Sequence, residues 1–257
     1  MKATLSQNHP DVPGTPQTTA LTALRAKSPE AAPLPTHSPR GARRSLWCCA
    51  VAAVCFGVLG PQAYSWQSLF DGESLGKWKE TDFGNQDAVG VQAGCIVLRM
   101  GGADLSGVTW TGDLFHMNYE IELEAKRVAG NDFFCGLTFP VGEACCSLIV
   151  GGWGGTLVGL SSIDNMDASE NETTSQKTFE TGRWYAIRLR VSAKRIRAWI
   201  DNKQVVNIHT EGRKIGVRYE VEASRPLGIA AWNTQAALRK IRIRALSTVE
   251  IEAPEAQ

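Results

Sequence analysis

From residue 95 onward the chain is written in short runs in which apolar and polar residues alternate, bounded by Gly, Asn and Asp. In Tyr119-Glu-Ile-Glu-Leu-Glu-Ala125 the residues Tyr119, Ile121, Leu123 and Ala125 share one face. In 184–192 the apolar Ile187, Leu189 and Val191 alternate with Arg188 and Arg190. A period of two is that of a strand buried on one face, and a helix cannot satisfy it. Further runs at 95–100, 133–139, 146–150, 156–160, 195–200, 203–208, 227–232 and 238–246 read the same way. Asp201-Asn202-Lys203 predicts a tight hairpin turn between two of them. With almost no helical periodicity and about a dozen short strands, the expected fold is all-β, an antiparallel two-sheet sandwich.

The N-terminal part obeys a different rule. Residues 1–44 are rich in Pro, Ala, Thr and Ser and almost lack aromatic residues, so they cannot bury enough apolar surface to offset their ordering entropy. They are expected to be a disordered leader. Arg43-Arg44 then precedes an apolar stretch at 46–59 that falls short of the ~20 residues a membrane helix needs. It fits the ~7–15-residue core of a secretory signal. Ala63 and Ser65 supply the small residues of a cleavage site. Residues 45–65 are therefore expected to be a signal peptide, cleaved near Ser65, which sends a bacterial protein to the periplasm or the exterior. The remainder is expected as one domain over 66–246 and a flexible tail over 247–257, with no membrane association in the mature form.

Removal of residues 1–65 turns the net charge of +1 slightly negative. No long basic run is present, so nucleic acid is not an expected partner. Four of the 7 cysteines remain after cleavage, namely Cys95, Cys135, Cys145 and Cys146. In an oxidising compartment a hairpin disulfide from Cys135 to Cys145 or Cys146 is plausible. No metal site is expected, since no C-x-x-C occurs and His116 and His209 are the histidines left.

Three segments together resemble a known family. They are Ser68-Leu-Phe-Asp-Gly-Glu-Ser-Leu-Gly-Lys-Trp78, then Thr181-Gly-Arg-Trp-Tyr-Ala-Ile-Arg-Leu-Arg-Val191 with Ile196-Arg-Ala-Trp-Ile-Asp-Asn202, and finally Pro226-Leu-Gly-Ile-Ala230 through Leu238-Arg-Lys-Ile-Arg-Ile-Arg244. This stretch, roughly 66–246, is similar to the 3-keto-disaccharide hydrolase domain, also described as a 3-keto-glucoside 1,2-lyase and 3-keto-2-hydroxyglucal hydratase domain. The resemblance implies a concanavalin A-like jelly roll with a sugar-binding concave face. It implies cleavage of the glycosidic bond of 3-keto-glycosides, where the C3 ketone acidifies the C2 proton and the leaving group departs by elimination. Two places differ from the family pattern. Ala230-Ala231-Trp232-Asn233-Thr234 stands where a Gln and a His are usual, and Phe134-Cys135-Gly136 where Asn-Ser-Gly is usual. These differences favour the alternative, a non-catalytic carbohydrate-binding module of the same fold.

The expected site lies in the most unusual stretch, Gly151-Gly-Trp-Gly-Gly155 and the acidic loop after it. Glycines around Trp153 let a ligand approach the backbone and an indole closely. Asp164, Asp167 and Glu170 are the candidate catalytic carboxylates, and Trp153, Asn171, Glu172, Trp232 and Asn233 the candidate ligand contacts, for a carbohydrate partner. No cofactor is expected, a Ca²⁺ site in the acidic loop being the second reading of those residues. Glu120-Ile-Glu122-Leu-Glu124 is similar to the E-I-D-I-E strand of laminarinase-like retaining glycosidases. With Lys126 and Arg127 beside it, it reads instead as a solvated outer strand. The cations Arg239, Lys240, Arg242 and Arg244 read as an outer face or edge protection. Asp132, Glu143 and His116 read as structural residues near strand ends.

Overall fold

The computed structural model describes residues 65–252. The expected leader and signal peptide lie outside them, apart from Ser65. Fifteen strands follow in chain order: β1 Gln67–Ser68, β2 Trp78–Glu80, β3 Val89–Gln92, β4 Cys95–Leu98, β5 Leu105–Trp110, β6 Tyr119–Gly130, β7 Cys135–Val141, β8 Ala144–Gly152, β9 Leu157–Ser161, β10 Ser175–Gln176, β11 Tyr185–Ser192, β12 Arg195–Ile200, β13 Lys203–His209, β14 Gly228–Trp232 and β15 Thr234–Ala245. All strand pairs are antiparallel and form two sheets. Sheet I runs β13-β12-β11-β6-β15-β4-β3, with β1 also on β15, and sheet II runs β10-β9-β8-β7-β14-β5-β2. This is the jelly-roll sandwich that the alternation and the resemblance implied. The β12–β13 hairpin turns through Asp201 and Asn202, both at positive φ (51° and 63°), as a type I′ turn requires.

The main core lies between the sheets. Tyr119, Ile121, Leu123 and Ala125 of β6 face Leu137, Phe139, Leu148 and Val150 of sheet II in one buried cluster. The opening Leu-Phe-Asp-Gly…Trp segment is a structural latch. Asp71 accepts hydrogen bonds from the backbone N–H groups of Glu73 (2.8 Å) and Ser74 (2.9 Å), which closes the turn. The chain then delivers Trp78, 2% exposed, whose indole N–H donates to the Leu69 carbonyl at 2.8 Å. Trp78 packs edge-on against Trp110 with centroids 5.2 Å apart.

The cysteines do not form the expected hairpin bridge. In the β7–β8 ladder Cys135 sits opposite Val150, whereas Cys146 is opposite Phe139 and Cys145 opposite Pro140. The thiols are thus about four rungs apart, ~13 Å at strand rise, far outside disulfide reach. All four cysteines are buried and free. Burial pushes the Cys135 and Cys146 thiols up to about 12, which keeps them protonated and unreactive.

The outer face of sheet I is an ion-pair lattice rather than a wet strand. Register places Arg190 and Arg244 beside Glu120, and Arg188 and Arg242 beside Glu122. Glu120 is only 1% exposed and is held by Arg190 (2.6 Å) and Arg244 (2.9 Å). Glu122 pairs with Arg242 at 2.5 Å, and Glu124 with Arg239 and Lys240 at 2.7 Å each. The cations of β15 are therefore not edge protection, because β15 lies inside the sheet between β6 and β4. The expected flexible tail also begins with order. Residues 248–252 form a one-turn helix, α1 (Thr248–Glu252), whose Glu250 bonds Arg244 at 2.6 Å and Arg190 at 3.3 Å.

Removing one partner of a buried pair strands the other charges. Glu120→Ala is expected to lower unfolding free energy by about 3–5 kcal/mol, against about 1 kcal/mol or less for the more exposed Glu122→Ala, both read from urea unfolding. Glu250 gives a pH test. Its hydrogen bond from Arg244, helped by Ser247, lowers its carboxyl from 4.5 to about 2. Its stabilisation is complete above the unfolded-state value near 4.5 and is lost as pH falls through about 2. The thermal midpoint should drop over that window, and the drop should be smaller in Glu250→Gln.

Candidate functional site

Sheet II is apolar on both faces. On β8, Leu148 and Val150 point to the main core while Ile149 points the other way; on β14, Ile229 and Ala231 do the same against Ala230. The second face is covered by the loop 164–174 and by a 3-10 turn at Tyr219–Ser224, through Ala168 and Val221. Gly159 makes the close approach possible, since a Cβ there would lie 2.9 Å from the Ala168 carbonyl oxygen. The cover is incomplete and leaves a cavity of about 210 Å³. Phe133, Ile149, Trp153, Val221 and Trp232 form its apolar walls, and Asp132, Ser161, Arg218 and Glu220 its polar points.

Trp153 is presented by a strained turn. Its φ is +48°, in the left-handed region that bulky residues avoid, and Gly151, Gly154 and Gly155 flank it with positive φ. Two anchors hold that turn. Arg127, 7% exposed at the far end of β6, donates to the Gly155 carbonyl at 2.8 Å and crowds the places where Cβ atoms at 151 and 155 would sit. It is thus a buried structural residue and not part of a wet face. Asp132 accepts from the Gly154 N–H at 3.2 Å and from the Phe133 N–H at 2.7 Å. The indole of Trp153 stays 42% exposed. Opposite it, the backbone N–H of Trp232 donates to the Phe133 carbonyl (3.0 Å), and its ring lies 6.5 Å from that of Phe133.

Electrostatics converge on Arg218. It is chelated by Glu220 (2.6 and 3.1 Å) and reaches Asp167 at 2.6 Å, with its guanidinium 5.9 Å from the Trp153 ring centroid. The two carboxylates hold it firmly protonated, and the Arg218 hydrogen bonds lower the Glu220 carboxyl. Ser161, 1% exposed, has a buried hydroxyl with no hydrogen-bond partner among the described residues and lines the same cavity. An unmatched hydroxyl in an apolar site is a group awaiting a partner.

The expected site residues divide in three. Trp153 and Trp232 line the cavity together. Asp167 lies one link behind it: its Oδ2 holds Arg218, and its Oδ1 accepts from the Ser169 N–H and hydroxyl. The others point elsewhere. Asp164 and Glu172 both grip Arg213, at 2.6 and 2.5 Å; the Lys214 backbone N–H and then Arg213 lower the Asp164 carboxyl, and Arg213 lowers that of Glu172. Asn171 is buried, its amide donating to the carbonyls of Leu160, Met166 and Asp167 and its oxygen accepting from Thr173. Glu170 is exposed on the loop. Asn233 occupies the left-handed corner between β14 and β15, its N–H on the Asp104 carbonyl. Among the described residues no cluster of three or more His, Cys, Asp or Glu side chains could hold a metal ion. Asp132 read as a structural residue near a strand end, and Ser161, Arg218 and Glu220 carried no periodic or motif signal of their own.

An antiparallel jelly roll with an aromatic-lined hollow on one sheet is the frame of a carbohydrate-active class of domain. A family profile described as the 3-keto-alpha-glucoside-1,2-lyase-like domain matches residues 65–244, and the chain belongs to that family. No curated protein matches it by sequence. Among solved structures, a protein of unknown function with a galectin-like fold from Bacillus subtilis superposes with a TM-score of 0.51 at 9% identity, covering 72% of this chain and 97% of that one. The apo form of the Crh5 transglycosylase gives 0.50 at 11% identity, covering 71% and 84%. A putative glycosyl hydrolase from Parabacteroides distasonis gives 0.46 at 13% identity, covering 70% and 94%.

Asn171 pins the acidic loop on sheet II. Asn171→Ala is expected to cost about 2–3 kcal/mol by urea unfolding, because the buried carbonyls lose their donor, and to raise amide exchange across 164–174.

Proposed function

We propose that the cavity on sheet II holds a saccharide and that the chain cleaves the glycosidic bond of 3-keto-glycosides there. The observation that carries this reading is the meeting of two indole walls, Trp153 and Trp232, with the Asp132 carboxylate and the Arg218 guanidinium in one small hollow. Indole faces suit the C–H faces of a sugar ring, and the open Ser161 hydroxyl suits one of its hydroxyls. In the reaction the C3 ketone acidifies C2–H. Asp132 takes that proton, the C–H electron pair becomes the C1=C2 bond, and the aglycone oxygen leaves from C1 and is protonated by water. Arg218 stabilises the enolate oxygen that develops at C3, the kind of preorganised charge that lowers such a barrier. Asp167 and Glu220 hold Arg218 in place. Addition of water to the unsaturated ketone completes the lyase–hydratase sequence.

The domain acts without cofactor as an exported bacterial protein, working from 66–246 after cleavage near Ser65, on carbohydrate and away from membrane and nucleic acid. A second reading is a non-catalytic carbohydrate-binding module. It is favoured by the Glu220 carboxylate being committed to Arg218 (2.6 Å), which leaves Asp132 as the base without a paired acid.

The test is release of the aglycone from a chromogenic 3-keto-glucoside by the purified protein. Asp132→Asn and Arg218→Met are each expected to slow release by about 10²–10⁴-fold. Trp153→Ala should act mainly on KM. Release that survives these changes but is lost in Glu170→Ala would move the chemistry to the loop. No release, with saturable glycan binding lost in Trp153→Ala, would establish the binding module.

A further inference from the structure

The opposite sheet carries a second hollow. On the outer face of sheet I the carboxylates of β6 are distributed unevenly among the flanking cations. Glu120 is saturated by Arg190 and Arg244, and Glu124 by Arg239 and Lys240. Glu122 has Arg242 on one side, and on the other Arg188, which stands opposite it in the ladder. Yet the Arg188 side chain makes no ion pair or hydrogen bond among the described residues. Its guanidinium lies 4.3 Å from the Trp199 ring centroid, and its buried Nε has no partner. Two residues before it in β11 stands Ala186, a small and exposed side chain on the same face. A hollow of about 650 Å³ opens there between Trp199 and Trp66, edged by Lys240 and Arg242. Its volume falls within the roughly 300–1,000 Å³ of small-molecule sites. Arg242 stacks at 4.4 Å on Trp66, so the second wall is also an indole set by a cation.

We infer that this hollow is a separate binding site for an acidic saccharide, its sugar rings against Trp66 and Trp199 and a uronate carboxylate on Arg188. The argument is charge complementarity. The carboxylates that line the hollow already have cations in hydrogen-bonding contact, whereas Arg188 has none, and a guanidinium fork matches a carboxylate in two parallel bonds. A neutral glycan would leave that cation as unmatched as it is now. The site lies on the sheet opposite the Trp153 cavity, so a chain carrying both would hold an acidic polysaccharide on one face while handling another sugar on the other.

The test is calorimetric titration of the full chain with trigalacturonic acid, maltotriose serving as the neutral trimer. Expected are saturable binding of trigalacturonate that weakens with added salt, about tenfold weaker binding in Arg188→Gln, partial retention in Arg188→Lys, and unchanged affinity in Trp153→Ala. Ala186→Glu, a surface change that puts a carboxylate into the hollow, should abolish it and serves if Arg188→Gln does not fold. Equal binding of maltotriose, no binding of trigalacturonate, full affinity in folded Arg188→Gln and Ala186→Glu, or loss in Trp153→Ala would each overturn the inference. The first three leave the sheet II reading untouched.

Discussion

Sheet II has apolar side chains on both of its faces, and the second face must be kept from water. Ile149, Leu157 and Ala230 have no place in the main core, because their neighbours along the same strands already fill it. The chain solves this by laying two irregular segments, 164–174 and the turn at 219–224, over that face. Everything that makes a site follows. The cover carries Asp167, Arg218 and Glu220, and the gap it leaves is walled by Trp153 and Trp232. A loop that must bury apolar surface also has to satisfy its own backbone, and Asn171 does this with one side chain that serves three carbonyls.

Sheet I meets the same problem with charge. Its outer face buries Glu120 among arginines and leaves the other two carboxylates more open, Glu120 at 2% side-chain exposure against Glu122 at 26%. Such a lattice contributes less net stability than its count of ion pairs suggests, since desolvation offsets much of the attraction. It also sets Glu120 and Glu122 of β6 between cations of both neighbouring strands, β11 and β15. Arg188, which makes no ion pair among the described residues, sits where the surface is hollow.

The two sheets therefore present different chemistry from one fold. On sheet II the walls are apolar and a single cation is fenced by two carboxylates. On sheet I the indoles lie under arginines. Aromatic residues at both places come from strands or their immediate ends, so their positions are set by the sandwich itself, whereas the carboxylates around Arg218 come from connecting segments.

Much of this was legible along the chain. The alternation in 119–125 and 184–192 assigned inward and outward faces correctly, the Asp201-Asn202 turn followed from residue type, and the signature segments carried the family. Trp153 and Trp232 stood out by their glycine and turn neighbours. The short strands β2, β3 and β5 were missed because a few residues rich in Gly and polar side chains give no period. Asp132, Ser161, Arg218 and Glu220 were not legible as a group, and Asp164 read as a catalytic carboxylate and Glu172 as a ligand contact because an acidic loop reads the same whether its side chains face a ligand or grip Arg213. The physical reason is one of range. Which face a strand residue takes is decided by its nearest neighbours in sequence, while the partner of a charged group is decided by strand order, and here Glu122 meets an arginine 120 positions away and Asp167 one 51 positions away. Local alternation is enough for the longer strands and their faces, and the signature segments for the family. Which polar residues meet, and so where the chain can hold a ligand, depends on strand order and loop placement.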